Sequence, residues 1–301
     1  MREAGRSLFA LMILGAGAAA GAGLNSDVLR AWDRYLEAAH QNMDARLGPN
    51  TCFLWAEERE GRMERLRNGE ILVAPGSDQN PKRVSGGLIH HWIGAVFVPG
   101  VSLEDLLATL RDYSRYGKFY PSVVSARLLT RSGPVDRLTT IEKHRAMFSN
   151  IALDGDFTAT YRDAGHGRAY NISHSTRLQQ IENYGDAKQR ELPPDAPKAY
   201  LWRLDSITRY EERDGGVYLE IEAFALSRDI PASLQWLVDI FVRQAARGAM
   251  AATLRLTRDA VTEDSAVARE KSAAPVKLPA HAAGWLGKLA KARSGGRKLA
   301  A

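Results

Sequence analysis

The sequence predicts an α+β protein in which helices pack on one face of a curved antiparallel β-sheet. Three observations indicate this fold class. A long apolar strand is predicted over Gly87–Val98, several later segments alternate apolar and polar residues, and one long amphipathic helix follows over Pro231–Ala260. Gly, Pro and Asp separate the strand segments, which indicates hairpins and therefore antiparallel pairing. The chain has 301 residues, 45% of them hydrophobic, and so can bury a sizeable core.

Residues 1–23 have the pattern of a secretory signal peptide. Arg2 and Arg6 form a positive segment, Ser7–Gly15 is apolar, and small residues follow, including the cleavage box Ala20-Gly21-Ala22. The segment also matches a G-x-G-x-x-A dinucleotide-binding pattern, which requires a helix and then a second parallel strand ending in an acid. A charged amphipathic helix follows instead. The pattern therefore favours export, to the periplasm or out of the cell, over a nucleotide-binding oxidoreductase.

Residues 24–84 are predicted to form an N-terminal helical extension. Its first helix covers Ser26–Leu47, and a second helical stretch lies within Cys52–Arg67. A short strand over Glu70–Ala74 ends at Pro75, because proline terminates strands and helices alike. The first helix is amphipathic, with its apolar side chains on one stripe. These side chains are Trp32, Tyr35, Leu36, Ala39 and Met43.

The strand over Gly87–Val98 is apolar on both faces, so we expect both of its faces to be covered. Ser102 then caps a helix over Leu103–Tyr113, with a stripe of leucines on its buried side. An aromatic loop at residues 113–121 leads into the next strand, Val123–Arg131.

The following strands are predicted to have one dry and one wet face. They cover Arg137–Ser149, Gly155–Tyr161, Ala169–Thr176, Tyr200–Tyr210 and Val217–Ser227. In the last strand, Leu219 and Ile221 alternate with Glu220. In the strand before it, Trp202 and Leu204 occupy alternate positions and are expected to share the dry face.

The net charge of +6 belongs to the ends of the chain rather than to its body. Residues 24–270 carry 32 basic and 34 acidic side chains, whereas residues 271–301 carry seven basic and no acidic ones. The folded part is therefore not expected to bind nucleic acid. Residues 262–301 are predicted to be a basic, disordered tail, in which a short stretch with tryptophan and lysines could contact anionic lipid.

No pattern in the sequence requires a metal or a cofactor, and none is predicted. His90 and His91 are adjacent on a strand, so their side chains point to opposite faces and cannot share one ion. The single cysteine, Cys52, excludes an intramolecular disulfide framework. Glu142 and His144 share one face of a predicted strand and are candidates for an acid–base pair, although a solvated strand face explains them equally well.

Two stretches of the chain carry a family resemblance. The first comprises Val96-Phe97-Val98-Pro99, Leu106, Asp112-Tyr113, Tyr116, Phe119-Tyr120-Pro121, Val123-Val124 and Ala126-Arg127-Leu128-Leu129. The second, Leu226-Ser227-Arg228-Asp229-Ile230-Pro231, enters the final helix. Together they resemble the START-like, or SRPBCC, superfamily, in particular exported bacterial members described as polyketide cyclase/dehydrase-like or lipid-transport-like. The resemblance covers roughly residues 85–260.

This resemblance implies a helix-grip fold, in which the antiparallel sheet wraps the long C-terminal helix and leaves an apolar cavity. Members of the group bind lipids, sterols, polyketides or other hydrophobic small molecules, and only some are enzymes. The expected organisation is a signal peptide at 1–23, the extension at 24–84, a START-like domain at 85–261 and the tail at 262–301.

The expected function is binding or transport of a hydrophobic small molecule in the cavity, at the cell envelope, with residues 113–121 as a gate. No chemistry is required for it. The expected ligand-binding residues are Trp92, Phe97, Tyr113, Phe119, Phe148, Trp202, Leu204, Leu219, Ile221, Leu237, Phe241 and Ala245. Two alternatives remain open. One is a cyclase- or dehydratase-type enzyme that uses Glu142 and His144 in the same cavity; the other is an envelope interaction module with a filled core.

Overall fold

The computed structural model describes residues 24–145, 150–229 and 235–273, with the backbone alone for residues 145, 235–245, 268 and 270–273. The predicted signal peptide, residue Phe148 and the part of the predicted tail beyond Ala273 lie outside the described residues, as does the predicted helix start at Pro231. The chain divides into two compact units, Met1–Asp264 and Ser265–Ala301. In the second unit, the described residues are the end of the last helix.

Within the described residues, ten strands form one antiparallel sheet flanked by helices. The helices are α1 Ser26–Ala45, α2 Arg62–Arg67, α3 Leu103–Leu110, α4 Tyr116–Phe119 and α5 Gln235–Ala273, with 3₁₀ turns at Trp55–Glu58 and Tyr113–Arg115. The strands are β1 Leu72–Pro75, β2 Lys82–Val84, β3 Gly87–Pro99, β4 Val123–Ser132, β5 Val135–Arg145, β6 Asn150–Gly165, β7 Arg168–Glu182, β8 Arg190–Glu191, β9 Leu201–Arg213 and β10 Gly216–Arg228. Their order is β1-β3-β10-β9-β7-β6-β5-β4, with β2 on β3 and β8 on β7.

Strand β3 is buried from Gly87 to Val98 and separates two apolar layers. Alternate side chains of a strand point to opposite faces of the sheet. Trp92 and Val96 pack in a cluster with residues of α5, on what we call the inner face. Ile89 and Phe97 pack in a cluster with residues of α1, on the outer face. The prediction that both faces of this strand are covered is confirmed.

Helix α1 begins at a well-formed cap and lies on the outer face. The Asn25 side chain accepts hydrogen bonds from the backbone N–H groups of Asp27 and Val28, at 2.9 and 3.0 Å. The predicted apolar stripe is the one that the helix buries, because it faces the sheet. Its buried residues are Val28, Trp32, Leu36, Ala39 and Met43.

The outer face of β9 and β10 is dry, so the prediction of a wet face is wrong there. Glu220 and Arg209 are 0% exposed, and the N-terminal extension covers them. Arg209 Nε donates to Glu220 at 2.7 Å, and Arg209 Nη1 donates to Glu222 at 2.8 Å. An alternation of charged and apolar residues predicts which side chains share a face of the strand. It does not predict whether another segment of the chain covers that face.

Glu220 also binds the extension directly. The backbone N–H groups of Trp55 and Ala56 donate to its two carboxylate oxygens at 2.9 and 3.1 Å. These bonds satisfy donors at the start of a 3₁₀ turn while they complete the hydrogen bonding of a buried charge. Arg209 therefore holds Glu220 from the sheet side, and the backbone of the extension holds it from the other side.

A second buried carboxylate continues this network. Glu222 accepts a hydrogen bond from Arg209, and its Oε1 lies 2.9 Å from His91 Nε2. Tyr35 of α1 is hydrogen-bonded to the other ring nitrogen of His91 at 2.9 Å. Burial alone would raise the pKa of Glu222, but the His91 hydrogen bond and the Arg209 charge outweigh it and lower the pKa to about 2.

Helix α5 packs on the inner face of the sheet through Met250 and Leu254. Gly94 of β3 makes this close approach possible, because a Cβ there would lie 2.7 Å from Met250 Cγ and 2.8 Å from Leu254 Cδ1. The long C-terminal helix of the predicted α+β, helix-grip architecture is therefore confirmed. It extends to Ala273, so residues 262–273, which were predicted to belong to the tail, are helical.

We expect Glu220→Gln to lower the free energy of unfolding by about 3 kcal/mol, because it leaves the buried Arg209 charge with one carboxylate partner. Chemical denaturation of both proteins measures the difference. Glu70→Gln is the matched control, since it removes an exposed ion pair with Arg65, and we expect no measurable change from it. Equal stabilities of the wild type and Glu220→Gln would contradict this account of the extension.

Candidate binding cavity

A cavity of about 240 Å³ lies between the inner face of the sheet and α5. Seven strands contribute to its walls, from β3 at one side to β4 at the other, which requires the sheet to curve around it. Most of the wall is apolar. The apolar lining residues are Trp92, Leu110, Val123, Leu138, Phe157, Ala159, Leu204, Leu219, Ile221, Ala223, Phe224, Ala225 and Ala246. The volume lies just below the ~300–1,000 Å³ of common ligand sites, which favours a compact occupant.

Tyrosines form one end of the cavity. They are Tyr113, Tyr116, Tyr120, Tyr161 and Tyr210. The Tyr116 ring packs edge-on against Tyr113 and Tyr120, with centroids 5.4 and 5.2 Å apart. Burial raises the pKa of Tyr116 and Tyr210 well above the ordinary value and that of Tyr120 to about 12. These phenols are therefore neutral at physiological pH and present aromatic surface to an occupant.

A buried carboxylate behind the tyrosines holds this end together. Asp136 is 0% exposed and accepts two hydrogen bonds from Arg111, at 3.0 and 2.8 Å, and two from Arg131, at 2.7 and 2.9 Å. The Tyr113 hydroxyl donates to it at 3.0 Å. Burial alone would raise the pKa of Asp136, but the hydrogen bonds from Arg131, Arg111 and Tyr113 lower it to about 2. Tyr113 is thereby fixed in the cavity wall.

The segment from Tyr113 to Tyr120 is tied to α5 by ion pairs and a hydrogen bond. Arg115 donates to both carboxylate oxygens of Asp264 at 2.6 Å, and Lys118 Nζ lies 2.8 Å from Glu263. The Tyr120 hydroxyl lies 2.8 Å from Thr257 Oγ1. This segment includes most of the aromatic loop that the sequence predicts as a gate, and the contacts hold it across one end of the cavity.

Five of the expected ligand-binding residues line the cavity. These five are Trp92, Tyr113, Leu204, Leu219 and Ile221. Phe119 is buried but does not contribute to the lining, since its ring packs against Arg115. Phe148 lies outside the described residues, as do the side chains of Leu237, Phe241 and Ala245.

Phe97 and Trp202 lie in the outer cluster, away from the cavity, for two different reasons. Phe97 is an odd number of positions from Trp92, so strand alternation places the two on opposite faces. Trp202 lies at a β-bulge, where Leu226 pairs with Arg203 and Ser227 pairs with Leu201. The extra residue shifts the alternation, so Trp202 does not share a face with Leu204.

Glu142 and His144 both lie on the inner side of β5, and both are buried. Glu142 lines the cavity; His144 does not contribute to its lining as the structure describes it. Burial lowers the pKa of His144 to about 4, and its ring nitrogens have no hydrogen-bond partner among the described residues. The ring is therefore neutral at physiological pH.

Several lining residues were missed by the sequence reasoning. The alternation that begins at Leu204 continues through Ser206 and Thr208 to Tyr210, all of which line the cavity. The alternation itself predicts their inward orientation, although the serine and the threonine are polar. Tyr161 and Asn171 lie inside the predicted strands Gly155–Tyr161 and Ala169–Thr176, but no residue of these two strands was assigned to the dry face.

No group of three or more His, Cys, Asp and Glu side chains among the described residues has the arrangement to hold a metal ion. No helix in that part of the chain is both long and apolar enough to cross a membrane.

Solved structures that resemble this chain include a STAR-related lipid transfer protein and an aromatase/cyclase. A STAR-related lipid transfer protein fragment from Xanthomonas axonopodis is 18% identical, with 64% of this chain and 98% of that chain covered and a TM-score of 0.41. Zhui aromatase/cyclase from a Streptomyces species is 10% identical, with 59% and 96% covered and a TM-score of 0.38. Human STARD10 is 11% identical, with 74% and 86% covered and a TM-score of 0.41.

No family model matches the chain, and no curated protein is significantly similar to it. All three TM-scores are below 0.5, so the structural likeness carries no inference about ligand or activity.

We expect Asp264→Asn to raise the hydrogen-exchange rates of backbone amides in residues 113–120 by about fivefold, because it weakens a partly exposed bidentate ion pair. Mass-spectrometric exchange on the full chain measures these rates. Glu263→Gln is the matched control, since its partner Lys118 is more exposed, and it should leave them nearly unchanged. Unchanged rates in Asp264→Asn would show that other contacts hold the segment.

Proposed function

We propose that this protein binds a hydrophobic small molecule in the cavity between the inner face and α5, and that it carries or senses that molecule. The observation that supports this most strongly is the cavity itself, whose walls are mainly aliphatic and aromatic side chains. Transfer of apolar surface from water into such walls contributes roughly 25 cal/mol per Å². An occupant would therefore gain most of its affinity from burial, and polar groups of the wall would orient it.

The tyrosine end and the ion pairs to α5 support a role in ligand exchange. A molecule entering between α5 and the segment from Tyr113 to Tyr120 must separate Arg115 from Asp264. That pair is partly exposed to solvent, so its separation costs much less than that of a buried pair such as Arg209 and Glu220. Because of this difference in cost, the segment from Tyr113 to Tyr120 opens to admit a ligand, and the N-terminal extension stays in place.

We also propose that the protein works at the cell envelope. The composition of residues 1–23 supports export, and the seven basic residues of 271–301 support contact with anionic lipid. The near-neutral body of the chain supports a role without nucleic acid. An envelope interaction module with a filled core fits the structure less well, since the inner face encloses a cavity.

We expect Ala223→Phe to reduce ligand occupancy at least tenfold, because the added ring occupies the cavity beside Ile221. The measurement is native mass spectrometry of protein purified from its own cells, followed by extraction of the bound molecule. Ala38→Phe on the exposed side of α1 is the matched control and should retain the ligand. A wild-type protein that is always empty, or full occupancy in Ala223→Phe, would refute the proposal.

A cyclase- or dehydratase-type enzyme is the second candidate, and the shared inner placement of Glu142 and His144 favours it. A dehydration needs a base to take a proton and an acid to protonate the departing hydroxyl as water. For an enzyme, we expect the extracted molecule to lose one water on incubation with the wild type but not with Glu142→Gln. Mass spectrometry detects the loss. An unchanged molecule in both incubations favours binding without chemistry.

A further inference from the structure

Four polar side chains form a compact row on the cavity wall. Asn171 and Ser173 of β7 are paired across the sheet with Thr208 and Ser206 of β9. All four line the cavity, because they occupy alternate positions whose neighbours point to the outer face. The outward neighbours Ile172 and Ile207 belong to the outer cluster. The row therefore lies in the middle of the inner face, with apolar walls around it.

Much of the hydrogen-bonding capacity of this row is unused by the protein. The hydroxyl groups of Ser173 and Ser206 make no hydrogen bond within the part of the chain that the structure describes, and both side chains are partly exposed to the cavity. Ser175, the next inward position of β7, differs, since its hydroxyl accepts from the Leu204 backbone N–H at 2.8 Å. Polar groups on an inner face cost free energy unless they find partners.

Asn171 adds an oriented amide to the row. The Tyr210 hydroxyl donates to Asn171 Oδ1 at 2.6 Å, which leaves the amide nitrogen of Asn171 as a donor. Thr208 lies beside the same tyrosine hydroxyl. Two other tyrosine hydroxyls of the cavity wall, those of Tyr113 and Tyr161, are hydrogen-bonded to each other at 3.0 Å. The row thus offers two free hydroxyl groups and one amide donor to an occupant.

No residue that the structure describes in the cavity wall carries a positive charge. Among the described lining residues there is no lysine or arginine, and the acidic residues are Glu142 and Asp205. A carboxylate or phosphate placed here would lose its hydration without gaining a counter-ion, which is strongly unfavourable in a low-dielectric site. A neutral hydroxyl or carbonyl group would instead exchange hydrogen bonds with the row at little cost.

We propose that the cavity selects a neutral, largely apolar ring compound whose hydroxyl or carbonyl oxygen bonds to the row of Asn171, Ser173, Ser206 and Thr208, and that it rejects anionic amphiphiles such as fatty acids. Aromatic residues flank the row: Tyr161 is paired with Asn171 across the sheet, and Phe157, four residues from Tyr161 on the same strand, also lines the wall. Flat rings pack well against such surfaces. This inference rests on the proposed binding function and specifies its ligand.

Three probes of nearly equal apolar surface test the selection: naphthalene, 2-naphthol and 2-naphthoate, the last an anion at neutral pH. Isothermal titration calorimetry with the full chain gives their affinities. We expect 2-naphthol to bind about tenfold more tightly than naphthalene, which corresponds to one good hydrogen bond. We expect 2-naphthoate to bind more weakly than naphthalene.

The variant Ser173→Ala/Ser206→Ala/Thr208→Val removes three hydroxyl groups at nearly constant shape. It should reduce the preference for 2-naphthol to within about twofold while it keeps or increases the affinity for naphthalene. Thr176→Val, on the same strand but exposed, is the matched control and should keep the wild-type preference. Thermal unfolding checks that each variant is folded; if the triple variant is not, the single variant Ser206→Ala should show a smaller change in the same direction.

The calorimetric results distinguish selection by the row from the more general proposal that the cavity binds hydrophobic molecules. If naphthalene and 2-naphthol bind the wild type equally well, or if 2-naphthoate binds best, selection by the row is refuted while binding of hydrophobic molecules stands. If none of the three probes binds, both are refuted.

Discussion

The buried contact between Arg209, Glu220 and the backbone of the extension is the interaction on which the rest of the structure depends. Glu220 is 0% exposed, and its hydrogen bonds go to one side chain of the sheet and to two N–H groups of a segment far away in the chain. A charge at this position can be buried only if all of these partners are present. The outer face is therefore closed by the extension, which leaves the inner face to form the cavity.

Because side chains alternate along a strand, the outer face of the sheet contributes to stability and the inner face to binding. On β3, Trp92 faces the cavity and Phe97 faces the extension, although both are large and aromatic. The same division places the ionic network of β9 and β10 outside and the row of hydroxyls inside. Stability and binding can thus be supplied by adjacent residues of one strand, because a strand has two independent faces. Mutations on one face should perturb the other mainly through the backbone.

The sequence predicts most elements of the fold and five of the residues that line the cavity. The apolar stripe of α1 and the strand over Gly87–Val98 lie where the spacing of apolar residues predicts them. This spacing indicates directly which side chains share a buried face. The displacement of Trp202 was not predictable, since a bulge depends on the length match between two paired strands. Part of the tyrosine end of the cavity was also not predicted. Tyr161 and Tyr210 both line it, but they belong to strands that are distant in sequence.

The sequence by itself determined the fold class, the near-neutral charge of the body and the face on which most strand residues lie. These properties follow from local periodicity and composition, which need no knowledge of distant contacts. Only the tertiary structure decided that Glu220 is buried, that a cavity remains under α5 and that Asn171 and Ser206 share its wall. Each of these depends on segments far apart in the chain being brought together, and burial and cavity volume are properties of that packing.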